Sequence, residues 1–259
     1  MTRDWKADLN KFENFLRKID IQKYAYLRQI KTVEQNLPKE LLPLEIFYQH
    51  YWETTDFKDY DEVFKIYWSE KRSYIREFKK KYFYGCKLQF VKEGFKARLY
   101  RIWMSILTQF HFQYLWNALF AEKLESTPEL DMQGIDGVVE LKGKKVGIQL
   151  KKVSYRRETS NRRFTRRQQE RADIIVEVPY LVIDKEELKS KLENPRVRES
   201  TKDKCRKALE VFDENFIKFD NGFVIFRREY LERIYQTILE KIKTARRGDK
   251  ITYEEILIW

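Results

Sequence analysis

Histidine and cysteine are nearly absent from this chain. Two of each occur in 259 residues: His50 and His111, Cys86 and Cys205. Two cysteines cannot build a disulfide framework, and so few Cys and His leave almost no room for a zinc cluster. Glycine and proline are also scarce, at 8 and 5. No Gly/Ser linker, internal repeat or low-complexity segment is present. No stretch approaches the roughly 20 uncharged apolar residues of a membrane span. The opening MTRDWKADLN carries acids and no apolar run, so no secretory signal is read. These absences predict a reduced, cytoplasmic, globular protein with no membrane partner.

What is abundant is charge and aromatic surface. Lys and Arg number 53 against 41 Asp and Glu, a formal charge of +12, and aromatics make up 15%. Disordered chains lack aromatics, so disorder is excluded. The length suits one large domain or two small ones. A sequence pI near 9.4 favours nucleic acid or another polyanion as partner. The competing reading is the Lys/Glu/Arg-rich surface of a thermophile. Where the charge lies decides between them.

The first 94 residues read as helical. Trp5, Leu9, Phe12, Phe15, Leu16 and Ile19 recur at helical spacing within 4–33, a short aromatic helix follows at 44–52, and Val63, Phe64, Tyr67, Trp68, Tyr74 and Phe78 mark 61–81. Their spacing is that of a buried face more than of a base-stacking platform. Residues 95–124 form the strongest helical stretch, expected to pack behind a sheet. His111 lies within it and is given no catalytic role. Strands are then expected at 135–141 and 145–153, joined by a turn at Lys142-Gly143-Lys144, and at 174–178, with 180–183 as an extension after Pro179. Helix 188–212, strand 222–226 and helix 230–243 close the chain.

Chemistry concentrates in ELDMQGIDGVVELKGKKVGIQLKKVSY, residues 129–155. Asp136 opens one strand, and Gln149 and Lys151 lie two apart on the next, hence on one face. A hairpin brings that face beside Asp136, with Asp131 near by. Carboxylate and amide oxygens suit Mg²⁺. The metal acidifies a water and stabilises charge on a phosphate, and a lysine can orient that water or stabilise the phosphorane. The order resembles the PD-(D/E)xK nuclease pattern, with Ile135 in place of the proline and Gln149 in place of the second acid. Asp131, Glu129 and Glu122 are the candidates for the remaining acid. The pattern is short, and the competing reading is a solvated hairpin. The following segment, 151–171, holds nine basic residues against Glu158 and Glu170, with doublets Arg156-Arg157, Arg162-Arg163 and Arg166-Arg167. Clustered like charge repels itself, and arginine grips phosphate and guanine in bidentate fashion. These six arginines are therefore the candidate DNA-binding residues.

Four blocks carry a more specific likeness: IKTVEQNLPKELLPLEIFYQHYW at 30–52, FKARLYRIWMSILTQFHFQYL at 95–115, the 129–155 segment, and NGFVIFRREYLE at 221–232. In this order they resemble the TaqI restriction endonucleases. The resemblance implies an α/β (α+β) fold with a PD-(D/E)xK-like core, a mixed sheet flanked by helices, and a largely helical N-terminal region. The whole of 1–259 would then be a single endonuclease domain, with 1–94 its helical part and 95–259 its catalytic and DNA-binding core. It implies Mg²⁺-dependent cleavage of double-stranded DNA at TCGA after the T, leaving 5′ CG extensions, and a methyltransferase of the same specificity as functional partner. The family's important positions fall on Asp131, Asp136, Lys151 and Lys152, and Gln149 matches its pattern. Asp131, Asp136 and Gln149 are the metal-ligand candidates. Spacing from Gln149 favours Lys151 as catalytic lysine, because Lys152 on a flat strand faces away, unless a bulge reverses the two. A palindromic site suits a two-fold homodimer. Lys96, Arg98 and Arg101 are either phosphate contacts or helix-surface charges. Two competitors stand: a repair or junction nuclease of the same pattern, and a non-catalytic nucleic-acid-binding protein.

Overall fold

A computed structural model describes residues 3–153, 168, 170–252 and 256. The chain divides into two compact units, Met1–His111 with Asp220–Phe223, and Phe112–Phe219 with Val224–Trp259.

The first unit is helical. α1 (Trp5–Lys18) starts at Asp4, whose side chain accepts from Lys6 N and Ala7 N, and it buries Phe12 and Leu16. It ends earlier than its apolar spacing predicts. Asn221 donates to the carbonyls of Leu16 (2.7 Å), Arg17 (3.2 Å) and Ile19 (2.9 Å), satisfying groups that would otherwise bond further turns. A 3₁₀ segment, Gln22–Arg28, follows. α2 (Leu44–Tyr48) passes into a π turn. The helix expected over 61–81 is two helices, α3 (Tyr60–Glu70) and α4 (Arg72–Tyr82). α3 opens on a capping box between Asp59 and Glu62. The aromatics form a core: Phe12, Tyr48, Tyr51, Tyr60, Tyr67, Tyr100 and Trp103 are almost wholly buried. Trp103 donates to Tyr51 at 2.7 Å. His111 is fully buried against Glu13 at 3.2 Å, a structural pair.

α5 (Leu88–Leu119) is one continuous helix, starting before and stopping short of the predicted 95–124. Its end has a cause in the second unit. The buried Asn117 side chain donates to Leu124 O at 3.1 Å and accepts from Leu124 N at 2.7 Å, turning the chain out of the helix.

The second unit carries a mixed sheet of four strands, in the spatial order β1 (Gly137–Leu141), β2 (Lys144–Val153), β3 (Ile174–Leu181) and β6 (Lys250–Ile251). β1 and β2 are antiparallel, joined by Lys142 and Gly143 at φ 50° and 73°. Two left-handed residues make the tight turn whose twist matches a hairpin. β3 runs parallel to β2, and β6 parallel to β3. β3 passes straight through Pro179, which lies beyond the pairing of Ile175 and Val176 with β6, where a missing N–H is tolerated. The helix expected over 188–212 is α7 (Lys185–Glu193) and α8 (Glu199–Asn215), interrupted around Pro195. β4 (Phe216–Lys218) pairs with β5 (Val224–Phe226), and α9 (Arg228–Lys241) follows. The fold is thus mixed α/β, as expected. Among the described residues no helix is long and apolar enough to cross a membrane.

Gly137 is required by close approach. A Cβ there would lie 2.1 Å from Leu124 Cδ2 and 3.2 Å from Glu125 O, at the bridge between Glu125 and Val138. Gly137→Ala should destabilise by about 1–3 kcal/mol, as overpacking does. A thermal midpoint equal to that of the parent would remove this contact as a determinant of the hairpin.

Candidate active site

Three local devices place Asp136. Thr127 and Pro128 start the short helix α6 (Pro128–Met132), with Thr127 accepting from Leu130 N. Gly134, at φ 77°, turns the chain back, and Ile135 N bonds Leu130 O at 3.0 Å. Asp136 then enters the sheet, its N–H bonding Ile148 O at 2.8 Å. Its carbonyl accepts from Ser126 Oγ at 2.7 Å and from Gln113 Nε2 at 2.5 Å. Its carboxylate accepts from Leu150 N on β2. Ile135, the residue before it, packs with Ala172 and Ile175 in an apolar cluster that Leu130 and Val138 join.

The hairpin register begins with Gly137 paired to Ile148, and Asp136, one residue before it, is tied to β2 through Ile148 O and Leu150 N. β2 and β3 pair one for one from Val146 to Val153, so the described strand contains no bulge. Gln149 and Lys151 therefore share one face, and Lys152, which is exposed, takes the other. Gln149 Nε2 would lie 3.6 Å from a Cβ at Gly134, so its amide reaches the turn between Asp131 and Asp136.

Burial pushes the Asp136 carboxyl up to about 8, and the charge of Asp131 adds to the rise. The Leu150 N–H and the ammonium of Lys151 pull the other way. Carboxylate and amide oxygens are hard donors of the kind a divalent cation takes. Among the described residues no group of three or more His, Cys, Asp or Glu side chains is placed to hold a metal ion.

One residue of this face escaped the sequence reading. Glu177 on β3 pairs in register with Gln149 and is fully buried. It bonds Lys151 Nζ at 3.1 Å and Lys250 Nζ at 2.6 Å. The signal was a lone acid inside the apolar strand IIVEVPYL.

The other candidates part ways. Glu122 accepts from Tyr235 at 2.9 Å, and Glu129 is exposed. Lys96 pairs with Asp61 at 3.0 Å, while Arg98 and Arg101 pair with Glu34. That is the behaviour of helix-surface charges. Arg156, Arg157, Arg162, Arg163, Arg166 and Arg167 lie outside the described residues.

Comparison with known proteins closes the question of class. The family described as TaqI restriction endonuclease matches residues 9–238. "Type II restriction enzyme TaqI" of Thermus aquaticus is 40% identical over 257 residues, covering 96% of this chain and 95% of its own length. A second type II restriction enzyme, from Thermus thermophilus, is also 40% identical, over 258 residues, with the same coverage. No solved structure matches the chain significantly. The protein is a restriction endonuclease, a site-specific enzyme acting on double-stranded DNA. The chain belongs to the TaqI restriction endonuclease family.

Proposed function

We propose that this enzyme hydrolyses the phosphodiester after the T of TCGA on each strand, with Mg²⁺ as cofactor. The observation that carries the proposal is Asp136 at the head of a hairpin, its carboxylate bonded to Leu150 N between Gln149 and Lys151 and within electrostatic reach of Asp131 and Lys151. Asp131 and Asp136, with the Gln149 amide oxygen, would hold the cation. When bound, that ion supplies acidification of water and neutralisation of charge on the phosphate. The chain's own groups do the rest. Gln113 and Ser126 fix the Asp136 backbone by its carbonyl. The Leu150 N–H fixes the carboxylate. Lys151, held by Glu177, orients the attacking water or stabilises the pentavalent phosphorane. Lys152 points to the opposite face and is the weaker candidate for this role.

The arginine doublets from Arg156 to Arg167 supply contacts to phosphate and guanine. A two-fold homodimer reads the palindrome and cuts both strands. A methyltransferase of the same specificity protects the host as a functional partner. The test is digestion of a sequenced plasmid with Mg²⁺, with EDTA, and after adenine methylation of TCGA. Fragments mapping to TCGA and lost under the last two conditions are expected. Fragments mapping to another sequence would move the specificity. A retarded but intact plasmid would overturn the assignment of the hairpin as catalytic.

A further inference from the structure

The first unit holds a second charged feature that the catalytic reading does not use. α3, α4 and the start of α5 surround a cavity of about 490 Å³. Trp68 lines it, its indole backed by Phe64 at 5.9 Å and Phe95 at 6.3 Å. Lys65, Arg72, Arg76 and Lys92 line it as well. Lys92 Nζ lies 5.5 Å from the Trp68 ring centre. Among the described residues none of these four cations pairs with a carboxylate. Of the two acids of the lining, Asp61 is paired with cations and Glu93 alone stands against these four. Asp61 holds Lys23 and Lys96, and Glu93 accepts from Gln89 at 2.9 Å.

An ordinary solvated helix face looks different in this same protein. Lys189 pairs with Glu186, Lys191 with Glu187, and Arg206 with Asp203, each at helical spacing. α4 instead sets Arg72, Arg76, Lys79, Lys80 and Lys81 against the single acid Glu77. Exposed apolar surface gathers in the same segment. Of eight large hydrophobics exposed among the described residues, Tyr74, Tyr82, Tyr84, Leu88 and Phe90 fall between 74 and 90. Uncompensated cations interleaved with exposed aromatics are the composition of a nucleic-acid surface.

We propose that this cavity is a phosphate-binding site for the DNA backbone, a grip independent of sequence and separate in the chain from both the hairpin and the arginine run. Arg72 and Arg76 take phosphate oxygens, being planar and bidentate. Lys65 and Lys92 add charge at the cavity wall, and Trp68 offers an apolar surface to a sugar or base. The identity of the polyanion rests on the DNA-cleaving reading above. The cavity's preference for phosphate rests on its own residues.

The test uses the full-length protein in EDTA, so that no cleavage intervenes. Fluorescence anisotropy is read with two labelled duplexes, one containing TCGA and one lacking it, over a range of salt. Arg72→Gln combined with Arg76→Gln should weaken both complexes by about tenfold. It should also lower the slope of log K against log salt by roughly 0.9 for each lost contact. Both residues are exposed, so an unchanged thermal midpoint is expected. Lys65→Gln, also exposed, should shift both duplexes in the same direction by less. Affinity and slope equal to those of the parent would overturn the proposal. So would weakening confined to the TCGA duplex, which would mark base reading. Loss of inorganic triphosphate binding with DNA affinity unchanged would overturn it in favour of a free-polyphosphate site. Plasmid cleavage at TCGA by the unmodified protein tests the catalytic reading separately.

Discussion

Asp136→Ala should lower the cleavage rate by roughly 10³ or more while leaving duplex binding in EDTA within a few fold of the parent. The Asp136 carboxylate is the anchor of the proposed cation site, and losing charge stabilisation at a phosphoryl transition state typically costs two to three decades or more. Binding rests on basic residues elsewhere. Turnover by the variant equal to that of the parent would sink the assignment. The same group makes stability depend on pH in the metal-free protein. The unfolded chain releases the Asp136 proton near 3.8, whereas burial and Asp131 hold it in the folded protein up to about 8. Its contribution to stability is therefore fully present below about pH 4 and lost as pH rises through about 8. Asp136→Asn, which mimics the protonated acid, should flatten this fall. Mg²⁺ should raise the thermal midpoint of the parent at pH 8 by binding the folded state, and should leave that of the Asn variant unmoved. A midpoint that fell equally in both proteins between pH 5 and 8 would place the titration elsewhere.

Glu177→Gln carries the second large effect. Glu177 is fully buried and serves as anion for both Lys151 and Lys250. Neutralising it leaves two partly buried ammonium groups without their shared carboxylate. Breaking a buried pair from one side costs on the order of 3 kcal/mol. The expected catalytic cost is roughly 10- to 100-fold, as for partners that orient groups around a metal site. Glu177 positions Lys151 and does not itself touch the phosphate in the proposed mechanism. The loss should accordingly fall on kcat more than on KM, with Glu177→Asp restoring part of it. Lys250→Ala keeps the Lys151 pair and should lose far less activity. If Lys151→Ala retained cleavage while Lys152→Ala abolished it, the face carrying Glu177 would not be the catalytic one.

Much of this protein was legible as a string. The change from 3.6-residue periodicity to alternation separates the helical first part from the strands, and the Lys142-Gly143 turn fixes the hairpin within two residues. The four blocks of likeness identified the family. Those features are local, set by side-chain spacing and by backbone conformations that few residues adopt. Helix ends were less legible. α1 stops where Asn221, about 200 residues away, takes its last carbonyls, and α5 stops where its own Asn117 side chain bonds Leu124 beyond the helix, partners that helical periodicity does not reveal. The single helix read over 188–212 ran through Pro195, where the chain breaks between α7 and α8.

The site shows the same division. By itself the sequence pointed to Asp136, Gln149 and Lys151 as a set, through a hairpin and a two-residue strand period, and to Asp131 through the family resemblance. Only the tertiary structure decided that the β2–β3 pairing runs without a bulge, which puts Lys151 on the face of Gln149 and Lys152 on the other. It also decided that Glu177, 26 positions from Lys151, is its partner. Parallel pairing across a long crossover is a non-local contact, and no periodicity within either strand encodes its register.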